Sequence, residues 1–120
     1  MAQRFGEQLR DARRKAEKTL GDVARLLGVS VVYVSDVERG NRKPFTRDRI
    51  FKIAKFLETG PDSLLQAADR ERGFIEYDIT KARPLEADVV SGFVAGLARG
   101  GVSDEQLHRI RSILEGDDNE

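Results

Sequence analysis

The 120-residue sequence predicts an all-α chain in two parts. Five short helices fill residues 1–70, residues 71–84 form a linker or short strand, and a helical hairpin follows over 85–116. Three observations lead there. Apolar residues recur at spacings of three and four along most of the chain, the period of a helix with one buried face. Thr19, Ser30, Thr46 and Ser103 each stand just before such a stretch, where a hydroxyl caps orphan backbone amides, and Gly28 and Gly40 stand just after two of them. Charge is also partitioned: 14 Lys and Arg against 8 Asp and Glu in residues 1–60, then 7 against 13 in residues 61–120, although the net charge is zero.

In chain order, residues 3–17 read as a first helix with Phe5, Leu9 and Ala12 as its apolar stripe and arginines and lysines around it. A second helix, Leu20 to Leu27, turns Val23, Ala24 and Leu27 to one side. Thr19 caps it, with Asp22 as the reciprocal partner of a capping box. Gly28 supplies the left-handed residue that ends it. Ser30 opens a third helix, Val31 to Glu38, in which Val34 and Val37 turn inward. Asn41-Arg42-Lys43-Pro44 is a basic loop, since proline disfavours helix at the preceding residue. Arg47 to Leu57 makes a fourth helix carrying Ile50, Ile53, Ala54 and Leu57. Pro61 opens a fifth, with Leu64, Leu65 and Ala68 inward.

Beyond Arg72 the pattern changes. Ile75, Tyr77 and Ile79 alternate with Glu76 and Asp78, a strand signal that needs a pairing partner. That partner is either absent, which leaves an extended linker, or the same strand of a second copy. Pro84 to Arg99 reads as a sixth helix in which Gly92, Gly96 and Gly100 fall on one face. Each costs about 1 kcal/mol relative to alanine inside a helix, so close helix–helix approach is the expected offset. Gly100-Gly101 breaks the helix, and Ser103 with Gln106 caps a seventh showing Leu107, Ile110, Ile113 and Leu114. The acidic tail, Gly116 to Glu120, is expected to fray. A hairpin this small has little room to bury both stripes. Val89, Gly92, Phe93, Gly96, Leu97, Leu107, Ile110 and Leu114 are therefore the candidate dimerisation residues, the alternative being that the hairpin folds back on its own N-terminal domain.

Two short helices joined by a glycine turn form a helix-turn-helix, whose second helix is the one that enters a DNA major groove. Ala24, Gly28 and Val34, with the runs Gly28-Val29-Ser30, Tyr33-Val34-Ser35 and Glu38-Arg39-Gly40, resemble the Cro/CI-type (XRE-like) helix-turn-helix regulators over roughly Phe5 to Ala68. The resemblance implies a lambda-repressor-like five-helix domain. It places the exposed leading residues of the third helix, Val31 and Val32, and a turn later Ser35 and Asp36, against base edges. Valine reaches only a thymine methyl, while Asp36 can accept from a cytosine amino group. Tyr33, Arg39, Asn41, Arg42 and Lys43 lie where the family grips phosphate. Arg13 and Glu38 resemble a structural ion pair of that family. Where the family often has glutamine at the start of the second helix, this chain has Leu20, which cannot donate to phosphate; the helix amides around Gly21 and Asp22 remain available.

Other function classes find little support. With no Cys and a single histidine, His108, disulfides, thiolate chemistry and a thiolate zinc site are excluded. No phosphate-cradling glycine loop or nucleophile elbow is present. No catalytic residue, metal or cofactor is expected, and His108 reads as a surface residue. No run reaches the roughly eighteen apolar residues of a membrane span and no charged-then-apolar leader opens the chain, so a cytoplasmic address is the expectation. The basic and acidic halves fit a DNA surface joined to a part that does not touch DNA. The expected function is a homodimeric repressor on a near-palindromic operator. The alternative is an antitoxin or adaptor whose C-terminal half holds a protein partner.

Overall fold

A computed structural model describes residues 3–116. Among them are seven α-helices and no strand: α1 (Phe5–Lys15), α2 (Leu20–Leu27), α3 (Val31–Glu38), α4 (Arg47–Phe56), α5 (Asp62–Arg72), α6 (Pro84–Arg99) and α7 (Asp104–Leu114). The chain divides into two compact units, Met1–Glu76 and Tyr77–Glu120. The expectation for the tail at 117–120 lies outside the described residues.

Local sequence sets the helix ends in the first unit. Glu17 takes a positive φ of 57°, which stops α1 two residues short of the expected end. The Thr19 hydroxyl accepts from the Asp22 amide at 3.0 Å, and the Asp22 carboxylate accepts from the Thr19 amide at 2.8 Å. Gly28, at φ 69° and ψ 34°, closes α2. The Val29 amide then reaches back to the Ala24 carbonyl at 3.0 Å, the six-to-one bond of a Schellman cap. Ser30 caps α3 through the Tyr33 amide at 3.0 Å. Pro61 is the N-cap of α5 rather than its first residue.

These helices share one core built from Phe5 and Leu9 of α1, Val23 and Ala24 of α2, Val34 and Val37 of α3, Ile50 and Ile53 of α4, and Leu64, Ala67 and Ala68 of α5. Phe45, in the loop before α4, is also fully buried and meets Phe5 edge-on at a centroid distance of 6.3 Å. Burial of aromatic area at this scale makes a loop residue as much a part of the core as any helical one. Gly6 of α1 lies so close to the end of α3 that an added Cβ would sit 2.3 Å from the Glu38 carbonyl oxygen. The Phe5 amide donates to the Glu71 carboxylate at 2.5 Å, joining the start of α1 to α5.

Between α5 and α6 the expected strand does not form. Residues 74–78 have no regular structure, and Ile79–Lys81 is a single 3-10 turn. The Asp78 carboxylate accepts from the Thr80 amide at 3.1 Å, a local bond that turns the chain where a strand would stay extended. With no second strand to pair with, the alternation of Ile75, Tyr77 and Ile79 yields exposed side chains and not a sheet. The Tyr77 hydroxyl donates to Glu86 of α6. Gly100 is not a third glycine inside α6. It is the left-handed cap beyond it, at φ 74°, and the Gly101 amide bonds the Gly96 carbonyl at 2.9 Å. Ser103 and Gln106 then form the expected capping box of α7.

Candidate nucleic-acid interface

The helix-turn-helix is α2 and α3 with the Gly28 turn between them, and the core decides which side of α3 faces outward. Val34, Val37 and Glu38 are buried. On the opposite side Val31 and Val32 are exposed by 48% and 67%, unusual for valine and a pair of apolar groups presented to solvent at the start of the helix. Ser35 and Asp36 are half-buried one turn on.

Asp36 is engaged within its own helix. Its Oδ1 accepts from Arg39 Nη2 at 2.9 Å, so the acid expected at a base edge and the base expected at phosphate are partners in the free protein. Asn41, Arg42 and Lys43 are exposed in the loop after α3. Tyr33 sits at the flank of α3. Its ring is tilted against Phe45 at 5.7 Å, and the Arg42 guanidinium lies 4.3 Å from the ring centroid, a cation held on an aromatic face.

Glu38 does not compete for this surface. Its carboxylate takes two hydrogen bonds from Arg13, Nε to Oε2 at 2.7 Å and Nη2 to Oε1 at 3.0 Å, and Arg13 Nη1 donates to the Lys18 carbonyl at 2.9 Å. Arg10 Nε adds a third cationic nitrogen at 3.6 Å. The hydrogen bond to Glu38 raises the Arg13 pKa above its usual value, outweighing the opposing effect of burial, so the guanidinium stays charged. The ion pair expected between these residues is therefore present, bidentate and buried. Leu20 packs against the core, as its lack of polar atoms requires. Thr19 and its hydroxyl, then Arg25, hold the Asp22 carboxyl below the ordinary aspartate range.

Two supporting residues lie outside the sequence expectations. Arg72, the last residue of α5, donates through Nη2 to the carbonyls of Pro44 (3.4 Å) and Phe45, pinning the far end of the basic loop. Arg49, in the first turn of α4, donates to the Tyr33 hydroxyl at 3.3 Å.

In the second unit the candidate dimerisation residues separate by environment. Val89, Gly92, Leu97 and Leu114 are exposed, Phe93, Leu107 and Ile110 are half-buried, and Gly96 is buried. A Cβ at Gly96 would come within 3.1 Å of Val102 of the same chain, whereas at Gly92 it would meet nothing within 4 Å. His108 is exposed, with Nδ1 3.1 Å from Arg111 Nη2. Among the described residues no cluster of His, Asp and Glu stands close enough to hold a metal ion, and no helix is long and apolar enough to cross a membrane.

A family model for the helix-turn-helix domain matches residues 4–68, more than half the chain. The chain belongs to the helix-turn-helix family. This helix-turn-helix protein is 32% identical over 99 residues to the uncharacterized HTH-type transcriptional regulator RghRB of Bacillus subtilis (strain 168), a match covering 80% of this chain and 68% of that protein. It is also 31% identical over 104 residues to catabolite control protein A of Staphylococcus xylosus, and 30% identical over 104 residues to that of Staphylococcus epidermidis. Each of those matches covers 85% of this chain but only 30% of the staphylococcal protein. No solved structure gives a significant match.

Proposed function

We propose that the protein is a sequence-specific, non-enzymatic transcriptional regulator that works in the cytoplasm as a homodimeric repressor of its own or a neighbouring promoter. The observation that carries this reading is the outward face of α3: two exposed valines at its leading edge, flanked by Tyr33 and the cationic Arg42 and Lys43. A carboxylate-free apolar tip between basic flanks suits a major groove, where the flanks take phosphate and the tip takes base edges. Val31 and Val32 contact thymine methyls, Ser35 and Asp36 the bases a turn further along, and Tyr33, Arg39, Asn41, Arg42 and Lys43 the backbone.

Arg39 is then shared. It leaves Asp36 for phosphate, or holds both, and freeing Asp36 lets it accept from a cytosine amino group. Two such helices related by a two-fold axis would dock about 34 Å apart on a near-palindromic operator. The exposed Leu85, Val89, Val94, Leu97, Ile113 and Leu114 of the second unit support dimerisation there, because apolar area of this kind seldom stays wet. The same exposure also favours a second reading, an antitoxin or adaptor in which that unit holds a protein partner.

The experiment is a titration of the full chain against duplex DNA from upstream of its own gene, with a shuffled duplex as control, beside sedimentation at tens of micromolar. Specific binding by a dimer supports the repressor reading. A monomer in sedimentation refutes the dimer and leaves the adaptor. Equal affinity for both duplexes refutes sequence-specific control of that promoter.

A further inference from the structure

Arg49 belongs neither to the helix-turn-helix nor to the basic loop, yet it converges on the same tyrosine as Arg42. Its Nη1 lies 3.3 Å from the Tyr33 hydroxyl oxygen, and its guanidinium carbon is 5.7 Å from the centroid of that ring. Arg42 is placed 4.3 Å from the same centroid. Phe45, fixed in the core, supports the ring at 5.7 Å. Three chain segments thus place two full positive charges around a single phenol.

Neither arginine has a carboxylate within 4.0 Å among the described residues. Arg13, Arg25, Arg39, Arg47 and Arg72 do, while Arg14, Arg70, Arg99 and Arg111 share the lack; what sets this site apart is two such arginines on one ring. Like charges drawn together without a counter-charge are unfavourable, and the aromatic face offsets only part of that. The hydroxyl is unspent as well. It accepts from Arg49, and among the described residues no acceptor receives its own proton.

We propose that Arg42, Tyr33 and Arg49 form a cradle for one phosphate of duplex DNA, with Arg49 a binding residue contributed by α4. The proposal rests on the reading of α3 as the DNA-facing helix. One non-bridging oxygen takes the Tyr33 hydroxyl proton and the phosphate charge lies between the two guanidiniums. The bond from Arg49 polarises the hydroxyl and makes it a stronger donor. A phosphodiester fits because it brings one negative charge and two acceptor oxygens to a site with two cations and one free O–H.

The test is binding of the full-length protein to its upstream duplex across a salt series, using Arg49→Gln, Arg49→Lys, Tyr33→Phe and the Arg42→Gln/Arg49→Gln double variant. Arg49→Gln should weaken binding roughly tenfold, the scale of a lost charged hydrogen bond, and Arg49→Lys should recover part of it. Tyr33→Phe should weaken binding without changing the salt slope, since phenol carries no charge. The double variant should flatten the log–log slope by about 0.9, the value for one phosphate. A flattening of about 1.8 would overturn the single cradle by placing the arginines on separate phosphates. Wild-type affinity and slope in Arg49→Gln would overturn the role of Arg49, while failure of the wild-type protein to bind any duplex would overturn the DNA-facing reading itself. In the double variant, a lower melting temperature with an unchanged salt slope would mark a purely structural role and refute the cradle.

Discussion

Replacing Gly6 by alanine sets two effects of opposite sign against each other, and the distances decide between them. Alanine is favoured over glycine by about 1 kcal/mol in a helix interior, and Gly6, the second residue of α1, can gain at most that. The added methyl, however, would lie 2.3 Å from the Glu38 carbonyl oxygen, 2.6 Å from that of Val37 and 2.8 Å from the Glu38 carbonyl carbon. All three neighbours are backbone, so no side chain can swing aside, and α1 and α3 must separate by about 1 Å to reach ordinary contact. Overpacking of this kind costs about 1–3 kcal/mol, and a rigid neighbour puts the site at or above the upper end. The net effect is a loss of about 2 kcal/mol. For a domain of this size that lowers the melting temperature by about 8–16 °C, measured by circular dichroism. Gly21→Ala is the control, since its methyl meets only the Thr19 hydroxyl at 3.6 Å. A Gly6→Ala protein that melts at or above the wild-type temperature would refute the argument that α1 and α3 are in backbone contact.

Three further outcomes are expected. Glu38→Ala leaves the Arg13 guanidinium buried without its partner and should cost about 3–5 kcal/mol in urea unfolding; a loss below about 1 kcal/mol would make the pair a bystander. Asp22 has a depressed folded pKa, so its contribution is present above the unfolded value, about 3.9, and disappears as pH falls through the lower folded value. The stability gap between wild type and Asp22→Asn should therefore be constant from pH 6 to 8 and shrink below about pH 4, and a gap that holds at pH 2.5 would contradict the assigned cause. At Gly92 an added methyl meets nothing within 4 Å among the described residues, so Gly92→Ala should raise the helicity of α6; if Gly92 lies at a close dimer contact, sedimentation should also show weaker association, and unchanged association would remove it from that interface.

What the sequence made legible was local. The caps at Thr19, Ser30 and Ser103 and the turn at Gly28 depend on residues three or four positions apart, and such neighbours declare themselves in one dimension. Arg13 and Glu38 are 25 positions apart and were accessible only through resemblance to other chains. Phe45 has no periodic companions, so nothing in its loop marks it as core. Arg49 and Arg72 carry no sequence signal of their own; their partners at Tyr33 and at the Pro44 and Phe45 carbonyls become visible only when the helices are assembled. The strand reading failed for a related reason. Alternation records which side chains share a face, but a strand exists only where another backbone meets its hydrogen bonds.

The two valines at the tip of α3 have a consequence for the chemistry of the operator. A hydrocarbon reader senses a methyl group in the groove and not the base that carries it. Thymine displays that methyl at C5, and a cytosine methylated at C5 displays the same group at the same place, whereas uracil displays none. On the proposed docking, enzymatic methylation of cytosine beside Val31 or Val32 would add a contact that the unmodified base lacks. A chromosome's methylation pattern would then alter occupancy of sites whose underlying letters never change.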